Sequence, residues 1–325
     1  MQKAFMKLAL CAATTLACWS AAAQTPEVTL TRLDCGTQVE NDISGRFTDT
    51  FAYPGQKRWF TYSCYLIKHG SDYMLWDTGH SMSAGAPAPK VSIVDQLAQL
   101  NIKPEQIKFI GISHFHADHT GQLPSFPGAQ VMIGKGDWDG ITATPPMPGA
   151  NVAAFAHWRT GGGKIEPLTG DKDVFGDGSV MILRTPGHTP GHYSALVRLK
   201  DAGNFLLMGD LAHFHENYES NGVPSFNFHR GDTVSSLERV KKIAANLKAT
   251  VIIQHDPSRH RQAAGVSGCG EVAKPLQAAA CRSLKTVGGS VSRLFDASRM
   301  ALGARDRPVM FLIFSASAAP AAVKI

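Results

Sequence analysis

Past its first two dozen residues the chain has no apolar run long enough to span a bilayer, which takes about 20 residues of helix, so no integral helical membrane protein is expected. A basic surplus is also missing from the body of the sequence. The net charge of +6 comes from the two ends: Lys3 and Lys7 stand in a leader without acids, and the stretch from Ser258 carries ten Lys/Arg against three Asp/Glu. Between Gln24 and Pro257 there are 20 bases and 23 acids. A mildly acidic body offers no electrostatic footprint for nucleic acid. Cysteine is scarce as well. Of six, two fall in the leader, and Cys35, Cys64, Cys269 and Cys281 are not in the spacing of a cysteine-based zinc site.

The leader explains part of this pattern. Lys3 and Lys7 precede an apolar stretch from Leu8 to Trp19, and Ala21-Ala22-Ala23 offers a small-residue cleavage site. Residues 1–23 are therefore expected to be a signal peptide, the mature chain to begin at Gln24, and the protein to be periplasmic or secreted. A lipoprotein signal at Cys18 is the weaker alternative, because Thr15 stands where an aliphatic residue is expected. An oxidising compartment permits disulfides. A Cys35–Cys64 bond and two buried free thiols are equal alternatives on sequence grounds.

Strands are expected at Val28–Leu33, Trp59–Ile67 and Tyr73–Trp76, the last two joined by His69-Gly70-Ser71-Asp72. A loop over Ser81–Pro89 and a short helix over Ile93–Leu100 follow. Further strands are expected at Ile107–Ile112, Gln130–Ile133, Val180–Arg184, His192–Leu199, Asn204–Met208 and Ala249–Gln254. Helices are expected over Asp137–Ile141 and from Asp232, as cap, to Leu247. Thr142–Gly163, rich in Pro, Gly and Ala, looks like an insertion serving as lid or substrate wall. Two groups of strands, each followed by helical material, predict an α/β protein: an αββα sandwich of two mixed sheets with helices on the outer faces. The catalytic domain is assigned to 24–257. Residues 258–325 are expected to be an atypical, poorly ordered tail, Ala/Ser/Gly/Arg-rich and without a sustained period, with one isolated apolar run at Val309–Phe314.

The chemistry concentrates in Ser113-His114-Phe115-His116-Ala117-Asp118-His119-Thr120-Gly121. Three His and one Asp fall within six residues at the C-terminal end of a strand, where α/β folds place ligand sites. His114 and His116, two apart, can project from one side of extended chain. Asp118 and His119, adjacent, are expected to diverge, so that one loop serves two metals. A histidine-rich surface loop is the bland alternative, and four donors beside a glycine at a strand end argue against it. Three more donors stand at strand ends or in a rigid turn: His188 in Thr185-Pro186-Gly187-His188, Asp210 in Met208-Gly209-Asp210, and His255 in Gln254-His255. Asp77, in Trp76-Asp77-Thr78-Gly79, has the same placement. Singly, each could cap a turn.

Jointly, His114-x-His116-x-Asp118-His119 followed in order by His188, Asp210 and His255 resembles the metallo-β-lactamase superfamily over roughly Asp34–Pro257. The resemblance implies a dinuclear centre. His114, His116 and His188 would bind one divalent ion, Asp118, His119 and His255 the other, and Asp210 would bridge them. Zinc is the default for such donors. It also implies a hydrolase in which water is activated between the ions, with Asp118 handling the proton and Asp77 orienting a ligand histidine. Asp210 and the segments Thr185–His192 and Glu216–Pro224 resemble the N-acyl-homoserine lactonase branch, whose members open lactone rings. Several such lactonases carry a tyrosine three residues after the bridging Asp. Here His213 occupies that place and is expected to act in catalysis. Gly209-Asp210-Leu211-Ala212-His213 also resembles exported organophosphate hydrolases, so phosphotriester hydrolysis is the runner-up, and a β-lactamase comes after it.

A mononuclear iron oxidoreductase and a non-catalytic binding module are disfavoured, because every donor for the second ion is present. The expected partner is a small-molecule substrate, with no nucleic acid and no membrane once the leader is removed, in a monomer or homodimer. Phe115, Phe126, Trp138, Phe155, Trp158 and Phe214 are candidate apolar walls. His192, His215 and Tyr218 are further candidates near the site.

Overall fold

Continuous apolar strands bury both of their faces, and the computed structural model, which describes residues 26–258, shows where each face goes. One sheet holds β1 (Val28–Asp42), β2 (Lys57–His69), β3 (Asp72–Trp76), β4 (Ile107–Gly111), β5 (Gln130–Gly134) and β6 (Ile165–Leu168), in that order. The first two pairings are antiparallel and the last three parallel. The other sheet has the order β11-β10-β9-β8-β7, from β7 (Lys172–Asp173), β8 (Val180–Arg184), β9 (Tyr193–Leu199), β10 (Gly203–Leu207) and β11 (Thr250–Ile252). Its only parallel pair is β10 with β11.

The period-2 alternation of side chains divides the core into layers. Tyr65, Ile67, Met74 and Trp76 pack against Ile182, Ala195, Val197, Phe205 and Leu207 between the sheets. Their sequence neighbours Cys64, Leu66 and Leu75 face outward. They meet Ile93 and Leu97 of α1 (Ile93–Gln99), Ile141 of α3 (Lys135–Thr142) and Trp158 of α4 (Ala156–Arg159). On the far side Leu196 and Leu206 pack with Leu237, Val240 and Ala244 of α6 (Arg230–Leu247). Helix, sheet, sheet, helix is the expected αββα sandwich. Two short helices, α2 (Ala117–Thr120) and α5 (His215–Ser220), belong to the loops at the sheet ends.

Several boundaries differ from expectation. β1 runs on to Asp42 through register shifts near Gly36, because two bulges let the strand bend while keeping its pairing with β2. β6, β7 and α5, for which no element is expected, carry too few apolar positions to show a period. α6 is capped not by Asp232 but by His229, whose ring accepts from the Asp232 backbone N–H. The Thr142–Gly163 segment is no free lid: Ala154, Phe155 and Trp158 are buried in the core under the first sheet, while Gly149 packs close to the His116 ring and borders the site. Cys35 and Cys64 form a disulfide between β1 and β2. No helix among the described residues is long and apolar enough to cross a membrane. The leader, Cys269, Cys281 and the Val309–Phe314 run lie outside the described residues.

Candidate metal centre

The loops after β4, β8, β10 and β11 meet at one edge of the two sheets, and each delivers donors there. Behind β4, Ser113 holds extended chain with its N–H and hydroxyl both donating to Asp77, at 2.7 and 2.8 Å. That places His114 and His116 side by side, with His114 Nε2 2.8 Å from His116 Nδ1. The His188 turn brings its Nε2 to 3.1 Å from the same His116 nitrogen. These three nitrogens converge on one point.

A second group combines Asp118, His119, Asp210 and His255. Here the expected divergence of Asp118 and His119 fails. α2 starts at Ala117, and its first turn carries both side chains to the same side, with Asp118 Oδ2 3.5 Å from His119 Nε2. The separation into two groups lies instead between the extended His114–His116 piece and the helical turn. Asp210 faces both. Its Oδ1 stands 3.2 Å from His119 Nε2 and 2.9 Å from His255 Nε2, and its Oδ2 stands 3.4 Å from His188 Nε2. His213 Nε2 lies 3.1 Å from Asp210 Oδ2 and makes a third group with His188 and Asp210.

Four of these imidazoles are held by their other nitrogen, which leaves the inward nitrogen free to coordinate; His114 Nδ1 lies 3.1 Å from the Ser113 hydroxyl. His119 Nδ1 lies 2.8 Å from Asp77 Oδ2, His188 Nδ1 2.9 Å from Asn227 Oδ1, and His255 Nδ1 2.9 Å from the Thr61 carbonyl. Asp77 sits at φ +60°, a strained left-handed position for a residue with a side chain, and also accepts from Gln254. Asp210 is fixed through its backbone. Its N–H donates to His192 Nε2 at 3.0 Å, while His192 Nδ1 contacts the Thr185 carbonyl. Gly209 before it has φ +58°, and a Cβ there would stand 2.7 Å from His192 Nε2, so only glycine fits.

The electrostatics suit cations. Burial pushes His114 and His188 well below the usual histidine range, which keeps them neutral. Burial alone would lower His119 too, but the carboxylates of Asp210, Asp118 and Asp77 raise it well above. Burial likewise opposes ionisation of Asp210, and His255, His119 and His213 outweigh it and hold the carboxyl well below its ordinary value. His119 Nε2 and Asp210 Oδ1 are buried without a hydrogen-bond partner, although they lie close together. Buried polar atoms are costly in that state, and divalent cations satisfy them. The donor set fits two such ions, with His114, His116 and His188 at one, Asp118, His119 and His255 at the other, and Asp210 between.

Asp137, read from sequence only as part of a helix, ties the two histidine loops together. It accepts from Phe115 N–H at 3.0 Å, Gly191 N–H at 2.7 Å and the Thr189 hydroxyl at 2.9 Å. Burial raises its pKa to about 7 against those three donors. Asp137→Asn presents an NH2 group where the carboxylate accepts. It is expected to cost about 2 kcal/mol of stability in urea unfolding and to weaken retention of metal under a chelator; an unchanged midpoint and unchanged retention would refute that role.

The expected apolar walls are mostly elsewhere. Phe115, Phe126, Phe155 and Trp158 are core, Trp138 is half-buried against it, and Phe214 packs behind His213 with Tyr53 and Phe60. Of the expected walls, Phe115 does touch a donor, edge-on to His116 at 5.1 Å; the other aromatics that touch the donors are Phe47 against His213, Phe60 stacked on His255, Tyr62 beside His255, and Phe226 against His188 and His213. None of these others has a sequence signal beyond being aromatic. His192 supports Asp210, as described. His215 pairs with Glu219 on α5 and Tyr218 lies under Lys241, so neither joins the converging donors.

Comparison with known proteins agrees with this geometry. The family profile of the metallo-beta-lactamase superfamily matches residues 58–255. The chain is 34% identical over 179 residues to the N-acyl homoserine lactonase AttM of Rhizobium radiobacter, an alignment covering 50% of this chain and 64% of that protein. It thus spans somewhat less than two thirds of that relative's length. Among solved structures, an N-acyl homoserine lactone hydrolase with the product N-hexanoyl-L-homoserine bound at its catalytic metal center superposes with a TM-score of 0.62 at 24% identity, over 73% of this chain and 96% of that one. AidC, a dizinc quorum-quenching lactonase, superposes with a TM-score of 0.57 at 20% identity, over 72% and 89%. At these identities the structural likeness establishes the fold.

Proposed function

The chain belongs to the metallo-beta-lactamase superfamily, and from that membership we propose that it hydrolyses N-acyl-homoserine lactones, opening the ring to the N-acyl-homoserine and so quenching a bacterial signal. The observation that carries this reading is Asp210, with one oxygen toward each histidine group, in a chain whose curated relatives are lactonases.

Two divalent cations, zinc in this reading, would polarise the lactone carbonyl and acidify water at that edge. The chain's own groups do the rest. Asp118 is partly exposed, with its Oδ2 3.6 Å from His255 Nε2, and can take a proton from the attacking water. It then returns the proton to the ring oxygen as the ring C–O bond breaks. His213, packed between Asp210 and Phe47, donates a hydrogen bond to the substrate carbonyl, as a tyrosine would. Asp77, Asn227, Thr61 and His192 hold the donors in place. Export to the periplasm belongs to the same proposal, supported by the Lys3–Ala23 leader and by the Cys35–Cys64 disulfide.

The test is purified protein, loaded with zinc, given an acyl-homoserine lactone, a phosphotriester and a β-lactam in parallel. Lactone turnover should exceed the other two by orders of magnitude and disappear in His116→Ala. Turnover of the phosphotriester alone would transfer the assignment to the runner-up.

A further inference from the structure

On the His188 side of the centre, two loops make a wall that none of the preceding roles uses. Phe226 stands 5.7 Å, centroid to centroid, from His188 and 5.6 Å from His213. Phe47 packs edge-on against it at 5.4 Å. Over both rings lies the guanidinium of Arg46, 5.0 Å from the Phe226 centroid and 5.9 Å from that of Phe47. The two loops are tied where Ser225 donates through its N–H and its hydroxyl to the Arg46 carbonyl, each at 3.0 Å. Carboxylates nearby along the chain are already taken, Asp42 by Ser44 and Asp49 by Arg230. Among the described residues Arg46 forms no ion pair. Its side chain is a cation laid on an aromatic shelf, with its donors open to solvent, one ring beyond the converging nitrogens.

We propose that Arg46 is a specificity-determining residue that recognises an acceptor oxygen on the acyl chain, and that the enzyme therefore prefers 3-oxoacyl-homoserine lactones to unsubstituted ones of equal length. This rests on the lactonase assignment. The reach is right. The third acyl carbon lies about 6–7 Å from the lactone carbonyl carbon, one peptide-like span plus a bond at either end. With the carbonyl at the metal centre and the chain passing the edge of Phe226, the oxo oxygen would lie on the side where Arg46 presents its N–H groups. The amide oxygen is closer in and common to both substrates, so it cannot discriminate. Arginine's planar fork suits a carbonyl acceptor at such a half-open site.

The experiment compares N-(3-oxohexanoyl)- and N-hexanoyl-homoserine lactone with zinc-loaded wild type and Arg46→Met, a variant that keeps the side chain's length over Phe226 and removes its donors. Kd values for the corresponding non-hydrolysable lactams provide a readout independent of turnover. Wild type should favour the 3-oxo substrate by about ten-fold in kcat/KM, and its lactam similarly in Kd. Arg46→Met should bring both ratios close to one, and Arg46→Lys should restore part of the preference. Ratios that are the same in wild type and Arg46→Met overturn the role of Arg46 and leave the lactonase assignment standing. A wild type that turns over neither lactone, while hydrolysing another class of substrate, overturns both.

Discussion

Asp210→Asn should lower lactone hydrolysis at least a thousand-fold and leave the purified protein with fewer than two metal ions per chain. A thousand-fold corresponds to about 4 kcal/mol of transition-state stabilisation. The size follows from what the side chain touches. Its two oxygens lie between 2.9 and 3.4 Å from the inward nitrogens of His255, His213, His119 and His188. Asparagine keeps the shape, but one oxygen becomes an NH2 group directed at nitrogens that need a negative partner. His119 and His255, whose pKa values the Asp210 carboxylate raises, lose that support. Metal content by elemental analysis and rate measured on the same sample decide the matter. Two ions per chain with a rate within ten-fold of wild type would show that Asp210 does not hold both ions.

The donor set was legible in the sequence because each member sits at the end of an apolar strand or in a Pro/Gly turn. His114, His116, Asp118 and His119 follow β4, Asp210 follows β10, His255 follows β11, and His188 lies in Pro186-Gly187-His188. Strand tips at one sheet edge bring such residues together whatever the loops do. The supports were less legible. Asn227 reaches His188 from 39 positions away, and Thr61 reaches His255 from 194, through a backbone carbonyl that any residue carries. Asp137 gives no sign either, since an acid in the first turn of a helix normally faces solvent and favours the dipole. The donors of Phe115, Thr189 and Gly191 turn this one inward, where a Cβ at Gly191 would collide with it.

The same contrast holds for the walls. Aromatic residues in a Pro/Gly-rich segment look available for substrate, yet Phe155 and Trp158 are drawn under the first sheet, where burial of a large side chain is worth about 1.5–3 kcal/mol. Phe226, in the polar stretch Ser225-Phe226-Asn227, has no such cover. It remains partly exposed because the Asn227 bond to His188 and the Ser225 bonds to Arg46 hold its loop over the centre.

Replacing Cys35 and Cys64 together by serine should destabilise the protein by about 3–4 kcal/mol, the chain-entropy cost of opening a closed loop of this length; the two positions are 29 residues apart. The closed segment carries Phe47, Phe60, Thr61 and Tyr62, which pack on or hold His213 and His255. Cys35 also supports the turn after Asp77: its carbonyl accepts from His80, and its side chain fills the space beside Gly79. Loss of the bond should therefore lower the urea midpoint and speed release of the His255-side ion on heating. The rate at 25 °C with metal in excess should change little, because cross-strand pairing of β1 with β2 still places these residues. Unfolding in urea at matched metal content, with and without reductant, measures this directly. A shift below about 1 kcal/mol would mean that the strands alone secure the edge and that the bond is incidental. A full shift would mean that this edge of the centre depends on oxidation, which ties the stability of the site to the compartment that the Lys3–Ala23 leader predicts.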